Sequence, residues 1–163
     1  MALDKNQKLL DIGYGNGYLL KLADKSFDCN LFGIDISEDM KNLAEKRNKK
    51  ALKANRLNLN VGDCCNLQFA DNTFDAVSSI NTIYFWTDTV KGLSEIRRCL
   101  VPGGCFINAV YTKEWLSRTK MAEKGFKKFD PDDLVQLGKQ AGFKSIEVTE
   151  IVKGKSFAVV YRK

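Results

Sequence analysis

An α/β fold built on a mostly parallel sheet is predicted by three observations. Leu9-Leu10-Asp11-Ile12 runs into Gly13-Tyr14-Gly15-Asn16-Gly17 and then into a helical apolar pattern, which reads as a strand, a tight turn and a helix. Cys29 to Ile34 is a second apolar run closed by Asp35, as suits a strand buried on both faces with an acid at its carboxyl end. Strand and helix patterns then alternate, the arrangement that pairs strands in parallel through helical crossovers. With 163 residues, the chain suits a single domain that buries a core without disulfide or metal staples.

In order, Gln7 to Ile12 gives the first strand, and Tyr18 to Lys25 the first helix through Leu19, Leu20, Leu22 and Ala23. Three alternate glycines leave a groove in which a cofactor can lie, because glycine tolerates positive φ and lets the backbone approach a ligand. Their spacing is G-x-G-x-G; the dinucleotide fingerprint G-x-G-x-x-G would need a glycine where Tyr18 stands. The phosphate-cradling G-x-x-x-x-G-K-[ST] loop is absent from the sequence. Asp35 follows Gly17 by the offset at which a carboxylate accepts from both hydroxyls of a ribose. Ser37 is a helix N-cap with Glu38 and Asp39 in the first turn, and the helix is expected to run to about Lys53. Its lysines and Arg47 are read first as a solvated face, ahead of an anion-binding patch.

Arg56 to Val61 alternates as a third strand and leads into Gly62-Asp63-Cys64-Cys65, where Asp63 is either an Asx turn or a ligand. The fourth strand enters at Phe74-Asp75-Ala76-Val77 and ends at Ile80, delivering Asn81, Tyr84, Phe85 and Trp86 to the carboxyl edge of the sheet. Tyr84, Phe85 and Trp86 either wall a pocket or cover the core. Asp88 to Leu100 has apolar residues at helical spacing, and Pro102-Gly103-Gly104 ends it ahead of a fifth strand, Cys105 to Val110. Asp130-Pro131-Asp132-Asp133 starts a last helix that Gly142 stops, and Phe143–Thr149 and Ser156–Tyr161 form a hairpin around Gly154.

Composition narrows the chemistry. There are no histidines, which excludes an imidazole base or a histidine-based triad. Cys29, Cys64, Cys65, Cys99 and Cys105 lack C-x-x-C spacing, so reduced buried thiols are expected and no metal site. The net charge of +6 is read as a solvated surface; if any basic segment serves a substrate it is the one carrying Lys113, Arg118, Lys120, Lys124, Lys127 and Lys128. No apolar run approaches the roughly 20 residues of a membrane span and no signal-peptide pattern opens the sequence, so a cytoplasmic location without membrane contact is expected.

Asp11-Ile12-Gly13-Tyr14-Gly15-Asn16-Gly17 resembles the first motif, D-x-G-x-G-x-G, of class I S-adenosylmethionine-dependent methyltransferases, of the type 11 or UbiE-like group. Asp35 matches the second motif, Gly62-Asp63-Cys64-Cys65-Asn66-Leu67-Gln68-Phe69 the G-D-x-x-x-L-x-F pattern, Phe74-Asp75-Ala76-Val77 the F-D-x-V strand entry, and Glu95 to Gly104 the late helix-and-turn motif. The resemblance implies a Rossmann-like three-layer sandwich with a seven-stranded sheet in the order 3-2-1-4-5-7-6, strand 7 antiparallel. It also implies S-adenosylmethionine as cofactor, S-adenosylhomocysteine as product, and methyl transfer by direct in-line displacement to a small-molecule acceptor.

Carried onto this sequence, Asp11 holds the methionine amino end, and Gly13, Gly15 and Gly17 bring the backbone to the cofactor. Asp35 takes the ribose, Ile36 packs on adenine, and Asp63 with the Cys64 N–H reads the adenine edge. Asn81 adjoins the cofactor and orients the acceptor. Tyr14, where the family usually has a small residue, borders both cofactor and substrate, and Tyr84 and Trp86 wall the acceptor. Should a base be needed, Asp11, Tyr84 and Asp88 are the candidates beside Asn81. Compared with the family, only about eight residues precede the first strand, so most of the usual N-terminal helical cover is missing from 1–163. Rival readings are an RNA or other macromolecule methyltransferase, a non-catalytic cofactor-binding or partner module, and, last, a nicotinamide dehydrogenase.

Overall fold

The structure, a computed structural model, describes residues 3–119 and 126–163. Its parallel strands are β1 (Lys8–Ile12), β2 (Asn30–Asp35), β3 (Leu57–Val61), β4 (Phe74–Ile80) and β5 (Leu100–Tyr111), and a hairpin, β6 (Ser145–Val152) and β7 (Ser156–Arg162), completes the sheet. The order is β3-β2-β1-β4-β5-β7-β6. β7 runs antiparallel to both β5 and β6, and the other pairs are parallel. The chain moves outward one way from β1 to β3 and then restarts beside β1 with β4. A crevice therefore opens at the carboxyl ends of β1 and β4, where such sheets bind ligands.

Period-two alternation sorts the strand side chains onto two faces. Leu9, Leu31, Leu57 and Leu59 pack with Leu20, Ala23, Ala44 and Ala51 from the helices α1 (Tyr18–Ser26), α2 (Glu38–Arg47) and α3 (Lys49–Lys53). Leu10, Ile12, Ile34, Val77 and Phe106 pack on the opposite face with Leu93 and Ile96 of α4 (Thr89–Cys99) and Leu134 of α6 (Pro131–Gln140). A short helix, α5 (Lys113–Ser117), follows β5. The result is the three-layer sandwich expected, with the expected strand order.

Two expectations about elements are corrected. The helix expected from Ser37 to about Lys53 is broken at Asn48, whose φ is −111°. Its buried side chain donates from Nδ2 to Ala44 O at 2.9 Å and to Gly17 O at 3.0 Å, so the break in the helix goes with a tertiary hydrogen bond to the glycine loop. Pro102-Gly103-Gly104 does not precede the fifth strand but lies within it: Leu100 pairs with Phe74 and Cys105 with Ala76, and the intervening residues bulge at Gly103, φ +80°. Lys163 closes that bulge, accepting from the Gly103 N–H at 3.2 Å and donating from Nζ to Leu100 O at 2.7 Å.

Candidate functional site

β1 turns into α1 through Gly13, Gly15 and Gly17, with φ of +70°, +51° and +72°. That backbone is one L side chains rarely adopt, which is why glycine occupies all three positions. Close packing adds to the requirement. A Cβ on Gly13 would collide with Thr82 Cγ2, and one on Gly17 would lie 2.6 Å from Asn48 Nδ2 and 2.8 Å from Ala44 Cβ. At Gly15 a Cβ would meet nothing within 4 Å, so the middle of the turn faces open space.

Asp35 fixes this turn from the next strand. One carboxylate oxygen accepts from the Gly15 N–H at 2.8 Å and the other from the Ser37 N–H at 3.0 Å. A carboxylate has about four acceptor positions, so half of its capacity remains. Asp63, at the end of β3, accepts from the Cys65 N–H at 2.9 Å, which makes the Asx turn one of its two readings in fact. The same residue also lines the cavity.

That cavity, of about 260 Å³, lies at the crevice and is lined by Ile12, Gly13, Ile34, Asp35, Ile36, Gly62, Asp63, Cys64, Thr82, Phe85, Trp86 and Thr87. Six of these, Gly13, Asp35, Ile36, Asp63, Cys64 and Trp86, were singled out by sequence as site residues, and Phe85 as a possible wall. Ile36 is 78% exposed, a largely uncovered apolar side chain among those that line the cavity. Burial pushes the Cys64 thiol up and keeps it protonated.

Other expected site residues lie elsewhere. Tyr14 is buried and is not among the residues that line the cavity, and its ring fills the space above Gly33, where a Cβ would lie 2.6 Å from Tyr14 Cδ1. Its hydroxyl donates to Asn60 O at 3.2 Å. Tyr84 is likewise core, its hydroxyl accepting from the Tyr111 N–H at 2.6 Å and donating to Asn81 Oδ1 at 3.2 Å. Asn81 stands in the left-handed region, φ +57°, and is not among the residues that line the cavity. Asp88 is exposed and caps α4 by accepting from the Lys91 N–H at 3.0 Å.

Asp11 is buried behind the loop and accepts from Ser78 Oγ at 2.9 Å. Burial, with the neighbouring Asp35 charge a smaller cause and the Ser78 hydrogen bond opposing, raises its carboxyl from 3.8 to about 7. The folded protein therefore holds this proton between about pH 4 and 7 where the unfolded chain has lost it, so the stability it contributes falls as pH rises through that window. Thermal melts of wild type minus Asp11→Asn, taken from pH 4 to 8, are expected to show that relative loss.

Thr82 and Thr87 were missed by the sequence reading. Thr82 bridges the cavity wall to β4, its Oγ1 accepting from Trp86 Nε1 at 3.3 Å and lying 2.5 Å from Ser79 Oγ. Trp86 in turn stacks on Phe106 with centroids 6.4 Å apart. Of the basic segment, Lys128 lines a small pocket with Tyr84, Leu116 and Phe126. Lys113 pairs with Asp130, Arg118 with Glu114, and Lys127 Nζ donates to the Trp86 and Thr87 carbonyls at 2.7 and 2.9 Å. Lys120 and Lys124 lie outside the described residues. No helix among the described residues is long and apolar enough to cross a membrane.

A family model described as a methyltransferase domain matches residues 10–108. The chain is 30% identical to the uncharacterized methyltransferase YdaC of Bacillus subtilis over 149 residues, 91% of this chain and 77% of that protein. It is 37% identical to the demethylmenaquinone methyltransferase of Bacteroides fragilis over 99 residues, 60% of this chain and 40% of that one. The phosphoethanolamine N-methyltransferase 2 of Haemonchus contortus, solved with S-adenosyl-L-methionine, superposes with a TM-score of 0.84 at 22% identity, over 99% of this chain and 49% of that one.

Proposed function

The chain belongs to the methyltransferase-domain family, and from that premise we propose that it transfers a methyl group from S-adenosylmethionine to a nucleophilic atom of a small-molecule acceptor, by direct in-line displacement. The observation that carries this reading is the convergence of Gly13, Asp35, Ile36, Asp63 and Cys64 on one cavity.

The residues present suit the cofactor. Asp35 keeps acceptor capacity for two ribose hydroxyls after its bonds to Gly15 and Ser37. Ile36 offers an uncovered apolar surface to an adenine face. Asp63 supplies an acceptor and the Cys64 backbone a donor for the adenine edge. Gly15 leaves open space along the turn, and Asp11 stands behind it for the amino end. The cavity, at about 260 Å³, lies just below the range of ligand sites, about 300–1,000 Å³, and so suits the nucleoside while the remainder follows the turn.

The cofactor supplies the reactive methyl on a sulfonium, a good leaving group. The protein's part is to align the acceptor and exclude water, work of proximity and orientation. Phe85, Trp86, Thr82 and Thr87 form the wall for this. Tyr84, held in the core with its hydroxyl pushed up to about 12, and Asp88, committed to a helix cap, are not placed to act as bases. An apolar wall favours a hydroxylated aromatic acceptor, and the relative named for demethylmenaquinone makes quinols the first class to screen.

The test is formation of S-adenosylhomocysteine from S-adenosylmethionine in the presence of quinol and phenol acceptors, followed by mass spectrometry of the acceptor. A methylated acceptor is expected. Methyl label appearing on RNA and on no small molecule would overturn the acceptor class. Cofactor affinity is also expected to tighten as pH rises through about 7 and Asp11 ionises toward the cationic amino end, and to be flat across that range in Asp11→Asn.

A further inference from the structure

Asp63, Cys64 and Cys65 hold a carboxylate oxygen and two thiol sulfurs that all lie within 4.8 Å of one another. Adjacent residues on a strand point to opposite faces, but these two follow the end of β3 in a turn. The Asn66 N–H donates to Asp63 O at 3.0 Å, and the Cys65 N–H to Asp63 Oδ1 at 2.9 Å. That double closure folds the side chains of residues 63–65 into one cluster. We propose that Asp63, Cys64 and Cys65 form a site for a thiophilic divalent cation of the zinc kind, at the adenine end of the cavity, whose occupancy excludes the nucleoside.

The donor set selects the ion. Two thiolates and one carboxylate suit zinc or cadmium and disfavour magnesium or calcium, which prefer all-oxygen shells. Tetrahedral zinc with Zn–S near 2.3 Å wants its sulfurs roughly 3.8 Å apart, a spacing within the 4.8 Å limit that the three ligand atoms keep. The surroundings are polar where they need to be: Cys65 Sγ is 3.2 Å from Asp88 O and 3.5 Å from Thr87 Oγ1. Asp63 and Cys64 both line the cavity, which gives the ion a way in and a solvent molecule the fourth position. On binding, two thiol protons leave to solvent and no electrons move.

An ion drawing Asp63 and Cys64 inward removes the acceptor and displaces the backbone donor assigned to the adenine edge. Exclusion of the nucleoside rests on the cofactor reading above; the ion site does not.

Reduced, chelator-stripped protein is titrated anaerobically with cadmium, and the zinc form is examined by X-ray absorption. One cadmium per chain with a thiolate charge-transfer band is expected, and a zinc shell of two sulfurs at about 2.3 Å and light donors at about 2.0 Å. The double variant Cys64→Ser/Cys65→Ser is expected to weaken binding by about 100-fold, and Cys99→Ser to leave it unchanged. Because the X-ray absorption needs no variant, a folding defect in the double variant does not rescue the proposal. A shell without sulfur, or a band that survives the double variant, overturns the site. S-adenosylhomocysteine affinity is expected to fall about tenfold or more with one equivalent of zinc and to recover with chelator. Unchanged affinity with zinc bound through two sulfurs overturns the exclusion. Zinc binding of the expected kind in a metal-free protein that takes no S-adenosylhomocysteine refutes the cofactor reading and supports the ion site.

Discussion

Replacing Asp35 with alanine is expected to weaken S-adenosylhomocysteine binding at least about 100-fold, read by quenching of Trp86 fluorescence with Trp115 replaced by phenylalanine. Hydrogen bonds to a charged group contribute roughly 1.5–3 kcal/mol each, and two lost ribose contacts exceed the 2.8 kcal/mol or so that makes a factor of 100. The fold should survive, because the amides released, Gly15 and Ser37, sit at a half-buried turn open to solvent. A melting temperature lower by only a few degrees is consistent with a loss of about 1–3 kcal/mol. Asp35→Asn keeps one acceptor and should fall between the two in affinity.

Gly17→Ala is expected to lower stability by about 2–5 kcal/mol in chemical denaturation. The left-handed backbone at φ +72° costs a Cβ-bearing residue roughly 1–2 kcal/mol. Overpacking against Ala44 and Asn48 adds about 1–3 kcal/mol. Gly15→Ala is the control: its φ of +51° is also left-handed, but the added methyl meets no neighbour, so only the backbone cost applies. If both variants lose equal stability, the contact of the loop with Asn48 and Ala44 is not what demands glycine at 17.

These two residues also mark what the sequence made legible. The carboxyl ends of β1 to β4, the glycine turn, the acid that closes β2 and the acid that follows β3 are encoded locally, in runs of apolar residues and their punctuation, and they appear where expected. Ile36 could be placed at the mouth because it directly follows the acid at a strand end. Tyr14 could not be placed by local reasoning. Its ring turns away from the crevice because β2 carries Gly33 beneath it, and a mid-strand glycine is the signal that another group approaches closely there. The same pairing explains how a large residue replaces the family's usual small one in the turn: the room comes from the neighbouring strand.

Asn48 and Thr82 were invisible for a related reason. Each acts on a partner far away in sequence, Asn48 on the Gly17 carbonyl and Thr82 on the methylene of Gly13, and neither belongs to a periodic pattern. A polar residue interrupting the lysine-rich helix at Asn48 was the one available hint. For Tyr84, an aromatic run at a strand end supports core and pocket equally. In the structure its side chain is buried and its hydroxyl accepts from the Tyr111 N–H.

The central claim is that the crevice between β1 and β4 binds the adenosyl cofactor of methyl transfer. It is tested most directly by calorimetric titration of metal-free, reduced wild-type protein at pH 8 with S-adenosylmethionine, S-adenosylhomocysteine and NADH in parallel. Binding of one equivalent of each adenosyl ligand with micromolar affinity, and no heat from NADH, is the predicted result. Binding of NADH with no heat from either adenosyl ligand would contradict it.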